Sequence, residues 1–79
     1  MPAAKKIRRT TREIVTGFGA AVRAERERQG ISGGELARRA GCSPTAVSEI
    51  EREIRAVSLA LAVRLAGALD VPLAVLTPA

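Results

Sequence analysis

Residues 31–52, ISGGELARRAGCSPTAVSEIER, carry two helix starts with a helix stop between them. Leu36, Ala37 and Ala40 are spaced for one face of a helix. Gly41 is placed to stop that helix in the left-handed conformation that glycine adopts at least cost. Ser43 followed by Pro44 restarts it. A serine oxygen accepts from the free amides of the first turn, and a proline at the first helical position loses no donor. Val47 and Ile50 then form the apolar comb of the second helix. The chain must turn back on itself over residues 41–43, and two helices this short need others to bury their apolar faces.

The rest of the sequence supplies them. Thr10-Thr11-Arg12-Glu13 offers a capping box at Thr10, followed by Ile14, Phe18, Ala21, Val22 and Glu25 at helical spacing. Gly17 and Gly19 each cost about 1 kcal/mol inside a helix, so Thr16 is an alternative start. Gly30 is the expected stop. The second helix starts at Ser32, with Glu35 completing another capping box and Gly33 and Gly34 weakening the first turn. The third runs from Pro44 to about Arg52. The fourth begins after Ser58 and carries Leu59, Leu61, Ala62, Leu65, Ala66 and Leu69. Asp70-Val71-Pro72 breaks it, and a last short turn runs from Pro72 to Leu76.

Seventy-nine residues make one small domain. The hydrophobic content of 47% comes from Ala, Val, Leu and Ile, with one Phe and neither Trp nor Tyr. No stretch alternates as a strand would. The expected fold is all-α: a compact bundle of four to five short helices around residues 31–52.

Several function classes fall away. There is no histidine and one cysteine, so zinc sites, Ser/His triads, Cys/His nucleophiles and internal disulfides are not expected. Cys42 occupies the turn, where a small residue fits. Gly33-Gly34 is not followed by the Gly-Lys-Ser/Thr of a phosphate loop. Glu49 and Glu53 read as solvated carboxylates flanked by Arg52 and Arg55. An enzyme is not expected, nor is a metal, a cofactor or a small-molecule ligand. No apolar run approaches membrane length and no signal-peptide core follows the basic start, so the expected location is the cytoplasm, with no membrane partner.

Charge is distributed unevenly. Lys5, Lys6, Arg8, Arg9 and Arg12 lie in residues 1–12 with no acid among them. The other eight basic side chains are balanced by eight acidic ones, so the net charge of +5 resides in this N-terminal arm. Residues 1–12 read as a flexible basic arm and 13–79 as the folded domain. Such an arm suits contact with nucleic acid; a solubilising tail is the plainer reading.

Helix, glycine-containing turn, helix is the helix-turn-helix pattern, whose second helix can enter the DNA major groove. An ordinary helical hairpin within a bundle has the same spacing. On the DNA reading, Pro44, Thr45, Ser48 and Glu49 form the outward face of the second helix, opposite Val47 and Ile50. Arg52 and Arg55 follow it, placed for phosphate, and Arg38 on the preceding helix is a further candidate.

The sequence as a whole resembles the phage Cro/repressor type of helix-turn-helix domain, the XRE family. The resemblance runs through Phe18-Gly19, Val22-Arg23, Arg26, Gly30-Ile31-Ser32, Glu35-Leu36-Ala37, Gly41, Ser43-Pro44, Val47-Ser48 and Ile50-Glu51-Arg52. It continues through Ser58-Leu59, Leu65-Ala66, Ala68-Leu69, Val71 and Leu73, spanning about residues 16–76. It implies a lambda-repressor-like bundle that binds double-stranded DNA with helix 44–52 in the major groove. It also implies base reading at Pro44, Thr45 and Glu49, and a structural pair between Arg26 and Glu51. Thymine's methyl and cytosine N4 are chemically suited to Thr45 and Glu49 respectively.

Three departures stand out. Gly33 occupies a position where relatives often carry a phosphate-binding Gln; the bare amides of Ser32 and Gly33 could substitute there. Glu53 replaces a common Gly, so a different turn is expected. Ala74 and Val75 stand where acids are usual, leaving an apolar Leu73-Ala74-Val75-Leu76 end, together with Leu61 from the fourth helix, as the expected homodimer surface. The resemblance implies a transcriptional regulator, with repression of a palindromic operator as the leading expectation. The alternative is an antitoxin or other protein-binding helical module with autoregulatory DNA binding. Antitoxins usually add a toxin-wrapping segment, and little lies outside the domain here.

Overall fold

The computed structural model describes residues 17–77, all of them helix or short connection. The helices are α1 (17–29), α2 (Gly33–Ala40), α3 (Pro44–Glu51), α4 (Leu59–Leu69) and α5 (Leu73–Leu76). The arm 1–12, the capping box at Thr10 and the domain boundary at residue 12 lie outside the described residues.

One device starts three of the helices. Ser32, Ser43 and Ser58 hold extended backbone, and their hydroxyls accept from the amides of Glu35, Ala46 and Leu61 at 3.0, 3.0 and 3.1 Å. Each satisfies a donor that has no partner within its helix. The reciprocal half of the capping box at Ser32 is not used: the Glu35 carboxylate turns instead to Arg38 and Arg39.

One device also ends four of them. The amides of Ile31, Cys42, Ile54 and Val71 reach back five residues to the carbonyls of Arg26, Ala37, Glu49 and Ala66. The residue before each amide is left-handed: Gly30 (φ 71°), Gly41 (φ 72°), Glu53 (φ 60°) and Asp70 (φ 57°). The changed turn expected at Glu53 is therefore not found. Glu53 adopts the left-handed conformation that a glycine would take, and one reason is visible in its side chain. Its Oε2 accepts from the backbone amide of Ala20 at 3.0 Å, tying the end of α3 to the start of the described part of α1.

The core gathers apolar residues from all five helices. Phe18 and Val22 of α1 meet Leu36, Ala37 and Ala40 of α2, and Val47 and Ile50 of α3. Ala62, Leu65, Ala66 and Leu69 of α4 and Leu76 of α5 close it. Leu76 is 0% exposed. It is a core side chain of the monomer and is unavailable to a partner, which corrects its assignment to a dimer surface. Gln29 adds a polar tie, its Nε2 donating to the carbonyl of Leu69 at 2.7 Å.

Candidate nucleic-acid interface

The buried comb of α3 decides what its other side presents. Ala46, Val47 and Ile50 face inward. Pro44, Thr45 and Ser48 are exposed at the start of the helix, and Glu49 is half-buried beside them. Ser43 caps the helix from below, so the first turn is held open without covering this face. The outward residues offer a hydroxyl with a methyl (Thr45), a second hydroxyl (Ser48) and a carboxylate (Glu49), groups suited to base edges.

Beside this face lies a cleft of about 360 Å³ between α1, the first turn of α2 and α3. It brings together Gly33, Pro44, Ser48 and Arg52, expected from the sequence to meet DNA, with Gly34 and the expected structural pair Arg26 and Glu51. Arg23 also lines it. Sequence reasoning did not assign Arg23 a role. The available signal was its spacing: three residues before Arg26, it shares a helix face with it. Ser32 is exposed at the α2 entry, and its hydroxyl is occupied by the Glu35 amide.

The structure brings Arg26 and Glu51 together in a two-pronged pair, Nε to Oε2 at 2.8 Å and Nη2 to Oε1 at 3.0 Å. The third prong, Nη1, donates to the carbonyl of Ile31 at 3.0 Å. Both side chains are mostly covered, at 17% and 9% exposure. The hydrogen bonds it donates to Glu51 hold the Arg26 guanidinium above its ordinary pKa. One guanidinium thus locks α1, the α1–α2 connection and α3 behind the outward face of α3.

The other cations differ in how free they are. Arg38 donates to Glu35 at 2.5 and 3.1 Å, and Arg39 donates to the same carboxylate at 2.7 Å. These two arginines, Arg38 first, hold the Glu35 carboxyl well below the usual range, at about 2. Arg38 therefore has to share its charge with Glu35 before it meets phosphate. Glu49 faces Arg55 at 3.4 Å, not Arg52. Arg52 is exposed and has no acidic partner among the described residues, so its charge is unshared at the edge of the cleft.

At the far end of the chain, Val75 is 49% exposed and Ala74 is exposed, while Leu73 and Leu61 are half-buried against the core. Cys42 is half-buried in the turn and packs against the core. The described residues hold no cluster of groups suited to a metal ion, and no described helix is long and apolar enough to cross a membrane.

Comparison with known proteins places this architecture. The helix-turn-helix family description matches residues 22–76. The restriction-modification controller protein C.AhdI from Aeromonas hydrophila superposes with a TM-score of 0.76 at 35% identity, covering 78% of this chain and 94% of that one. The clp gene regulator ClgR from C. glutamicum superposes with a TM-score of 0.71 at 36% identity, covering 81% of this chain and 79% of that one. No match was found among curated protein sequences. The chain belongs to the helix-turn-helix family, in its phage Cro/repressor (XRE) branch.

Proposed function

We propose that this protein is a sequence-specific double-stranded DNA-binding transcriptional regulator, a repressor that reads a palindromic operator as a homodimer. The observation that carries this reading is the outward face of α3. Its exposed Pro44, Thr45 and Ser48, with Glu49 alongside, adjoin a cleft edged by the unshared charge of Arg52. In this reading α3 lies in the major groove with Thr45, Ser48 and Glu49 at base edges and Pro44 packed beside them. Arg52 grips phosphate, the amides at Ser32 and Gly33 offer donors at the start of α2, and Arg38 and Arg55 contribute when phosphate competes with their carboxylate partners. Lys5, Lys6, Arg8, Arg9 and Arg12 add charge from the arm. The likeness to a restriction-modification controller and to a gene regulator supports a regulatory role.

A single helix-turn-helix reads few base pairs, and two related by a two-fold axis read a palindrome. That is the reason for expecting a dimer. The test is selection of bound sites from random duplex DNA, repeated with Thr45→Ala. Recovery of a palindrome whose half-site changes at one or two positions in the variant supports the reading. Binding without sequence preference in both proteins overturns it.

A further inference from the structure

Arg52 and Arg55 both follow α3, and the structure treats them differently. Arg52 has no acidic partner among the described residues. Arg55 donates from Nη1 to Oε1 of Glu49 at 3.4 Å. Glu49 is the carboxylate of the outward face of α3, on the same side of the helix as Thr45 and Ser48. The charge of one arginine is therefore always available, and that of the other is held by a group placed to meet a base.

The turn after α3 brings this pair together. The amide of Ile54 donates to the carbonyl of Glu49 at 3.1 Å, and left-handed Glu53 (φ 60°) carries the chain back past the helix end. Glu53 is itself fixed, with its Oε2 accepting from the Ala20 amide at 3.0 Å. The backbone beneath Arg55 is thus set relative to Glu49, and only the two side chains have to move for the pair to open. They are 47% and 39% exposed, and an exposed pair of this kind is weakly held and opens readily.

We propose that Glu49 and Arg55 form an exchange that makes one phosphate contact conditional on the base. The proposal rests on the DNA-binding reading above and adds to it a means of rejecting wrong sites. Cytosine presents an N4 donor in the major groove, which a carboxylate can accept. Guanine N7 and O6 and thymine O4 are acceptors, and offer a carboxylate no bond. Opposite cytosine, Glu49 turns to the base and releases Arg55 to a phosphate. Opposite an acceptor edge, Glu49 stays with Arg55, and the pair brings no net charge to the backbone. An arginine without such a partner grips phosphate whatever the sequence, as Arg52 does. Specificity is a difference of affinities, and withholding Arg55 from wrong sites widens that difference without any further base contact.

Titration of the full chain against a selected duplex and a scrambled one, at several salt concentrations, tests the exchange. The slope of log affinity against log salt is expected to be steeper on the selected duplex by about 0.9, one released counterion. Arg55→Ala should flatten the selected-duplex slope alone and remove the difference. Arg52→Ala should flatten both slopes equally and keep it. Glu49→Ala should steepen the scrambled-duplex slope by about 0.9 and tighten binding there, while weakening binding to the selected duplex. Unchanged helical circular dichroism shows that each variant is folded. Arg55→Ala flattening both slopes equally, or neither, overturns the exchange, as does Glu49→Ala tightening both duplexes alike. Each of those results leaves the DNA reading standing. A wild type that selects no preferred sequence overturns that reading, and the exchange with it.

Discussion

Gly19 and the carbonyl oxygen of Ile50 meet where α1 crosses the end of α3, and a Cβ at Gly19 would stand 2.0 Å from that oxygen. The next obstacle is Cγ of Glu53 at 2.8 Å. The helix-weakening glycine is therefore a contact residue: it allows the approach that lets Glu53 reach the Ala20 amide. Gly19→Ala should lower stability by about 3 kcal/mol, the upper part of the usual overpacking range, because the obstruction is backbone and cannot rotate away. Gly34→Ala is the contrast. A Cβ there meets only Ser32 Oγ at 3.9 Å, and replacing a helical glycine should raise stability by up to about 1 kcal/mol. Thermal unfolding of the two variants checks both signs.

The Arg26–Glu51 pair should behave as a lock. Arg26→Met leaves Glu51, 9% exposed, without its partner. Removing one member of a largely covered pair costs about 3–5 kcal/mol. Arg26→Lys should recover only part of this, since an ammonium cannot make the two parallel bonds and also reach the Ile31 carbonyl in the same geometry. Urea unfolding of wild type and both variants gives the order. A Lys variant as stable as the wild type would show that charge alone, and not the fork, holds the helices.

Much of this was legible in the sequence because it depends on local chemistry. Serine caps and glycine stops are short-range devices, so Ser32, Ser43, Ser58, Gly30 and Gly41 fixed the helix limits in advance. The buried face of α3 followed from Val47 and Ile50 in the same way. What was hidden depends on distant neighbours. The turn at Glu53 looked wrong for a non-glycine residue until α1 brought the Ala20 amide to its carboxylate. Leu76 looked surplus because nothing local shows that α4 leaves room for it in the core. Glu49 turned to Arg55, six residues on, a choice that the turn after α3 makes and helical spacing cannot. Arg23 joined the cleft only once α2 and α3 were in place around it.

Glu35 gives the acid limb of stability its shape. Arg38 and Arg39 lower its pKa to about 2 in the folded chain. A carboxyl whose folded pKa is depressed contributes stability that is fully present above its unfolded value and is lost as pH falls through the folded one. The contribution should therefore hold at neutral pH and fade from about pH 4 down to about pH 2. Glu35 is half-buried, with its arginine partners exposed, so the effect should shrink in high salt. Glu35→Gln should flatten this part of the stability profile relative to the wild type, read by urea unfolding across pH. A profile of unchanged slope would mean that the two arginines do not favour the carboxylate in solution.

On the proposed function, Arg52 and Thr45 should fail in different ways. Arg52 carries a charge with no acidic partner among the described residues, at the edge of the cleft and beside the outward face of α3. Its work is with phosphate, which carries no sequence information. Arg52→Ala should weaken binding to every duplex about equally and reduce the slope of log affinity against log salt by about 0.9, one released counterion. Deleting residues 1–9 should flatten the slope further, by up to about 0.9 for each of the arm's phosphate contacts. Thr45 presents a hydroxyl and a methyl from the first turn of α3 and carries no charge. Thr45→Ala should leave the salt slope unchanged and alter preference at one or two base pairs by about 1–3 kcal/mol. Glu49→Ala separates two roles for that carboxylate. A changed preference at one base pair marks it as a reader. Stronger binding to all sequences marks it as a repulsive neighbour that also holds back Arg55. Titrations on the selected site and on scrambled duplex at several salt concentrations distinguish these outcomes. Loss of sequence preference in Arg52→Ala with no change of slope would show that the roles have been assigned the wrong way round.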